Sequence, residues 1–89
     1  MTIDAKDNNH HYILFLARNT TGNGHGAFLL TGYGSGGSER YKIIQLDEGN
    51  AVSIEVSGTT YVVTPSITGN TVVSIIYLME SKRPTVSVS

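Results

Sequence analysis

Side-chain catalysis needs an acid, a base or a nucleophile brought together, and this sequence offers no cysteine, three histidines and seven scattered acidic residues. Asp47 and Glu48 are neighbours, but adjacent side chains diverge, and acids before a glycine suit a turn better than a paired-carboxylate site. His10 and His11 are also adjacent, so on a strand they face opposite ways and cannot close on one ion within a chain. A threefold assembly could still gather one imidazole from each copy on its axis; solvated or hydrogen-bonded histidines are the simpler expectation. The run Gly22-Asn23-Gly24-His25-Gly26 looks like a phosphate loop, yet no helix follows it and no Lys-Ser or Lys-Thr follows Gly37. Its glycines suit a hairpin connection that exposes Asn23 and His25 at its tip. No catalytic residue, metal ligand or cofactor is therefore assigned.

The remaining polar chemistry suits hydroxylated ligands. Tyr33, Tyr41 and Tyr61 offer ring faces and Arg40 a guanidinium, groups that stack on sugar C–H surfaces and bond hydroxyls. Tyrosines at strand ends also pack with the hydroxyl at the rim, which is the plainer reading. Asn23, His25, Tyr33 and Arg40 are the candidate contacts to a neutral or weakly charged cell-surface glycan. Six basic against seven acidic residues leave a net charge of -1, too little field to gather nucleic acid or anionic lipid. Val72 to Met79 is the longest strongly apolar run, far short of the roughly 20 residues of a membrane helix, so membrane insertion is not expected. The polar start, Met1 to Asn9, is unlike a signal peptide. Without such a signal, Asn19-Thr20-Thr21 carries little weight as a glycosylation triplet, since such triplets are frequent by chance.

The elements that must position these groups are strands. His11 to Ala17 is a continuous apolar run that reads as a strand buried on both faces, and Ala27 to Thr31 is a second strand. The glycine- and serine-rich stretch Gly32 to Ser38 is a loop. Tyr41 to Leu46 alternates with one slip at Ile44, which suggests a strand with a bulge, and Asp47 to Asn50 is a turn. Val52, Ile54 and Val56 share one face of the next strand, and Ser57-Gly58-Thr59 turns it into an antiparallel partner, Thr60 to Thr64. Pro65 ends that partner, Gly69-Asn70 turns again, and Thr71 to Met79 is the longest and most apolar strand. Pro84 to Ser89 suits a short edge strand. Residues 1–10 read as a polar lead-in or arm, and residues 11–89 as one domain. Six or seven strands with no helical period indicate an all-β fold, a small antiparallel β-sandwich of jelly-roll-like type.

A chain of 89 residues buries only roughly 60 to 65% of its unfolded surface, and the lack of cysteine removes disulfides and thiolate zinc sites as supports. It also fits a cytosolic product or one released by lysis. Oligomerisation remains as the support. The strands Tyr12 to Leu16 and Val72 to Leu78 are apolar on both faces, so Tyr12, Leu14, Leu16, Val73, Ile75 and Tyr77 are the expected interface of a homotrimer.

The order of segments resembles the small C-terminal domains of bacteriophage tail fibres and tailspikes. The resemblance is carried by the opening strand His11 to Ala17, by Gly24-His25-Gly26-Ala27-Phe28 leading into Leu29-Leu30-Thr31-Gly32-Tyr33-Gly34, by the Ser57-Gly58-Thr59-Thr60-Tyr61 hairpin and by the closing strand Thr71 to Leu78. It spans roughly His11 to Leu78. It implies a trimeric, non-enzymatic β-sandwich on the virion, made in the host cytoplasm, attached to an upstream fibre or spike domain and able to touch a host-cell glycan. The adjacent His10 and His11 depart from the His-X-His pattern of ion-binding fibre tips. A stand-alone carbohydrate-binding module and a capsid-decorating protein are the alternative readings.

Overall fold

Strand-forming residues in period-two patterns leave this chain one way to hide its apolar sides, two sheets laid face to face. The computed structural model describes residues 1–6, 10–20, 23–33, 40–66 and 71–88. In chain order its strands are β1 (Thr2–Asp4), β2 (His10–Asn19), β3 (His25–Tyr33), β4 (Lys42–Gln45), β5 (Val52–Ser57), β6 (Thr60–Pro65), β7 (Thr71–Glu80) and β8 (Thr85–Ser87). One sheet runs β5-β6-β1-β8 and the other β4-β3-β2-β7. Every pairing is antiparallel. The all-β sandwich expected from the sequence is thus the observed architecture, with eight strands among the described residues rather than six or seven.

The additional strand corrects the reading of residues 1–10 as a lead-in. β1 lies inside its sheet, between β6 and β8, and sets Ile3 opposite both Tyr61 and Val86. Ile3 and Ala5 are both buried, so burial of two side chains and two rows of ladder hydrogen bonds hold a segment whose composition is polar. The hairpin between β5 and β6 forms as expected. Its two-residue turn starts at Gly58, at φ 62°, the backbone a type II′ turn asks of its first residue.

The core lies between the sheets. Ile13 and Phe15 from β2, Phe28 and Leu30 from β3, and Tyr61 and Val63 from β6 are all buried, with Phe15 and Phe28 edge to face at 6.4 Å. The strand β2 was expected to be buried on both faces; in the single chain it alternates instead, with its outward residues half-buried or exposed. The bulge also lies elsewhere than expected. β3 and β4 pair in unbroken register, while β2 and β7 slip between Tyr12 and Ile13, so that Met79 and Tyr77 are their partners and Leu78 is the extra residue. The expected loop positions Gly34 to Ser38 and the turn Gly69-Asn70 lie outside the described residues.

Candidate functional site

Three sets of side chains deserve comparison: the outward face of the β4-β3-β2-β7 sheet, the two ends of β3, and a buried histidine. The registers build the outward face row by row. Ile44, Leu29, Leu14 and Ile76 fall on one row across four strands. Lys42, Thr31, Tyr12 and Met79 form the row on one side, and Ala27, Leu16 and Ser74 the row on the other. Ile44 is 47% exposed, Ile76 44% and Leu78 57%. Scattered exposed apolar residues are ordinary in soluble proteins, whereas these lie contiguously in one row.

This face divides the expected interface set. Tyr12, Leu14 and Leu16 lie on it, as half-buried or exposed residues of β2. Val73, Ile75 and Tyr77 do not: they pack inward against the core. Side chains alternate along a strand, and the register pairs Leu14 with Ile76 and Leu16 with Ser74, so the outward residues of β7 before the bulge are Val72, Ser74 and Ile76. The sequence contains the apolar run but not its phase.

The candidate glycan contacts are also divided. β3 is nine residues long, which puts its ends about 26 Å apart at about 3.3 Å per residue. Asn23 and His25 stand at its start, and Tyr33 and Arg40 at its finish, so the four residues make two separate places. At the first, His25 Nδ1 lies 3.0 Å from Asp47 Oδ2. Asp47 Oδ1 accepts the backbone N–H groups of Gly49 at 3.0 Å and Ala27 at 3.2 Å. These bonds, the Gly49 N–H first and His25 next, hold the Asp47 carboxyl at about 2, well below its ordinary range. Gly49 runs so close beneath β3 that a Cβ would collide with the His25 carbonyl. His25 and Asp47 therefore fasten the β4–β5 crossover to β3, which is a structural task.

At the second place Tyr33 is 59% exposed, and the Arg40 guanidinium stands 5.7 Å from its ring centre. An exposed phenol ring flanked by a cation is the arrangement a sugar ring stacks on. Tyr41 and Tyr61, weighed as sugar contacts from the sequence, are core residues instead, and their rings stack on each other at 5.3 Å.

Beside them lies His11, fully buried, edge-on to both phenol rings at 4.9 and 5.6 Å. The Tyr61 hydroxyl donates to the Thr31 carbonyl at 3.0 Å, so the His11 Nε2–H is the donor in the 2.6 Å bond to the Tyr61 oxygen. Burial raises the Tyr61 phenol well above its ordinary pKa, with the nearby Tyr41 adding to the shift. Burial also raises Tyr41, with the Asp4 carboxylate contributing. Gly32 makes room for the cluster, since a Cβ there would strike the His11 and Tyr41 rings. The exposed His10 and the buried His11 do face opposite ways. The sequence left His11 as either a solvated or a hydrogen-bonded group; the phase of β2, in which His11 shares a face with Ile13 and Phe15, makes it the buried, hydrogen-bonded one. Among the described residues no three His, Asp or Glu side chains gather as metal ligands would.

Comparison with protein-family models, with curated proteins and with solved structures finds no match for this chain.

Proposed function

We propose that this domain is a non-enzymatic self-assembly module, a homotrimer whose copies meet through the outward face of the β4-β3-β2-β7 sheet. The observation that carries the reading is the aliphatic row Ile44, Leu29, Leu14 and Ile76 on that face. Geometry favours three copies over four. Four strands about 4.8 Å apart make a face about 19 Å wide, and three such faces stand about 5.5 Å from a common axis, close to the ~5 Å half-spacing of packed sheets. Four faces would stand about 9.5 Å from the axis and leave an unfilled channel. In this assembly Tyr12, Leu14, Leu16 and Ile76 are axial, while Val73, Ile75 and Tyr77 serve each copy's own core.

The segment resemblance extends the proposal to the tip of a bacteriophage tail fibre or tailspike. There the trimer would cap an upstream fibre or spike domain, ride on the virion and touch a neutral host-surface glycan. Tyr33 and Arg40 are the contacts retained for that role, because they stand together. Asn23 and His25 are set aside as belonging to the other end. Each single contact is weak, and three copies on one tip multiply it.

Light scattering after size exclusion tests the assembly, with three times the 9.6 kDa chain mass as the expected result and a stable monomer at micromolar concentration as the overturning one. A glycan array probed with the wild type, Tyr33→Ala and Arg40→Ala tests the second contact. Signal that survives both changes removes these residues from the proposal.

A further inference from the structure

Among the described residues the same sheet ends in two edge strands, β4 and β7, and they are unlike each other. β4 is four residues long and carries Lys42. β7 is ten residues long and has no charged residue from Thr71 to Met79. Edge strands are ordinarily kept from pairing by shortness, charge or proline, and β7 has none of these guards before Glu80. The other sheet is better protected, with a three-residue edge in β8 and Glu55 on its opposite edge, β5.

We infer that β7 is a strand-pairing site for β4 of a neighbouring copy. The inference rests on the self-assembly reading above and adds which edges meet. Three observations select this occupant. First, the sheet has four strands, all antiparallel, so its two edge strands run in opposite senses. Rotation about an axis along the strands preserves sense, so β7 of one copy meets β4 of the next antiparallel, and the alternation continues around the ring. Second, the rows match. The registers set Ile44 level with Ile76, Ile43 level with Tyr77 and Lys42 level with Met79. Ile44 and Ile76 are both exposed, and Ile43 and Tyr77 both half-buried, so like environments face like across the joint. Third, the contact consumes both edges at once. Two opposed faces in a twofold dimer would fill the space between them and leave the β7 edge bare. A ring of three covers face and edge together, and being closed it stops at three.

The absence of cysteine makes the test direct. Directly opposed residues of antiparallel strands have Cα atoms roughly 4.5 to 5.5 Å apart, inside the range a disulfide spans. Within one chain the same two positions lie three strand spacings apart, about 14 Å, beyond reach. Ile44→Cys with Ile76→Cys is the first pair. Lys42→Cys with Met79→Cys is the second and keeps both isoleucines. After mild oxidation each double variant should run as a covalent trimer at most on a non-reducing gel, and each single variant as a monomer. Dimers from Ile76→Cys or Met79→Cys alone would mean that β7 pairs with another β7, and overturn the proposal. Ladders longer than three would mean an open fibre, and overturn ring closure. A trimer by light scattering with neither double variant cross-linking would overturn the edge contact and leave the face contact standing. A monomeric parent chain would overturn both.

Discussion

The two sheets obey the same alternation and differ in what they turn outward. On the β5-β6-β1-β8 sheet the outward positions are Thr2, Asp4, Ser53, Glu55, Ser57, Thr60, Val62, Thr64, Thr85 and Ser87, hydroxyls and acids with one valine. On the β4-β3-β2-β7 sheet they are dominated by Tyr12, Leu14, Leu16, Leu29, Ile44, Val72 and Ile76. The inward faces are alike, both aliphatic and aromatic. Folding of one chain explains the inward faces and the polar outward face, since an antiparallel sheet has one dry and one wet side. It does not explain an apolar outward face. That difference is the observation on which the proposed self-assembly rests.

Neighbouring residues of β7 offer the severest way to break this contrast. Ile75 points into the core and Ile76 away from it. Ile75→Asp should lower stability by on the order of 3 kcal/mol or more, because it leaves an unpaired charge among apolar side chains, and circular dichroism should show a partly unfolded chain. Ile76→Asp should leave a folded chain and abolish the trimer in light scattering. If both variants only unfold, or both stay trimeric, the distinction between the two faces is lost. The mirror experiment uses the other sheet: Thr64→Leu and Ser53→Lys should leave mass and melting temperature nearly unchanged, within about 0.5 kcal/mol.

A smaller effect is expected inside the sandwich, where His11 of one sheet bonds Tyr61 of the other. Tyr61→Phe keeps the ring and removes the oxygen that takes the Nε2–H, so it should cost about 1 to 3 kcal/mol in urea denaturation without changing the oligomer. A loss of trimer with stability intact would mean that the two sheets are coupled to assembly through this bond. The raised Tyr61 pKa has a definite sign. Stability from the neutral phenol is complete below the ordinary tyrosine pKa of 10.0 and is lost as pH rises through the folded value. The alkaline limb of the stability curve should therefore flatten in Tyr61→Phe.

The smallest effect belongs to the exposed crossover. Asp47 is held at about 2 against an ordinary 3.8, so its contribution is present above the ordinary value and is lost as pH falls toward the folded one. Asp47→Asn should melt at a temperature that changes less between pH 4 and pH 2 than that of the parent. An identical acid slope would show that the Gly49 and Ala27 bonds do not persist in solution.

The sequence was legible where a pattern is local. The β5–β6 hairpin follows from alternation around Gly58, and the all-β sandwich from strand after strand without a helical period. It was illegible where phase or topology decides. A three-residue strand such as β1 holds one buried side chain, too few to show a period, and only its neighbours β6 and β8 reveal it. Val73, Ile75 and Tyr77 were expected at the interface because a run apolar on both faces does not say which half faces which way, and the register with β2 supplies that. Asn23 and Tyr33 were expected to reach one glycan from two loops, and β3 separates those loops by its whole length.

The place of β1 between β6 and β8 bears on how the chain acquires its shape over time. Thr2 lies opposite Val62 on one side and Ser87 on the other, so β1 finds its two sheet partners only after β6 and β8 have been made. The hairpin of β5 and β6 can zip in microseconds from local contacts, whereas insertion of β1 must close loops of sixty and eighty-five residues. High contact order of this kind slows folding.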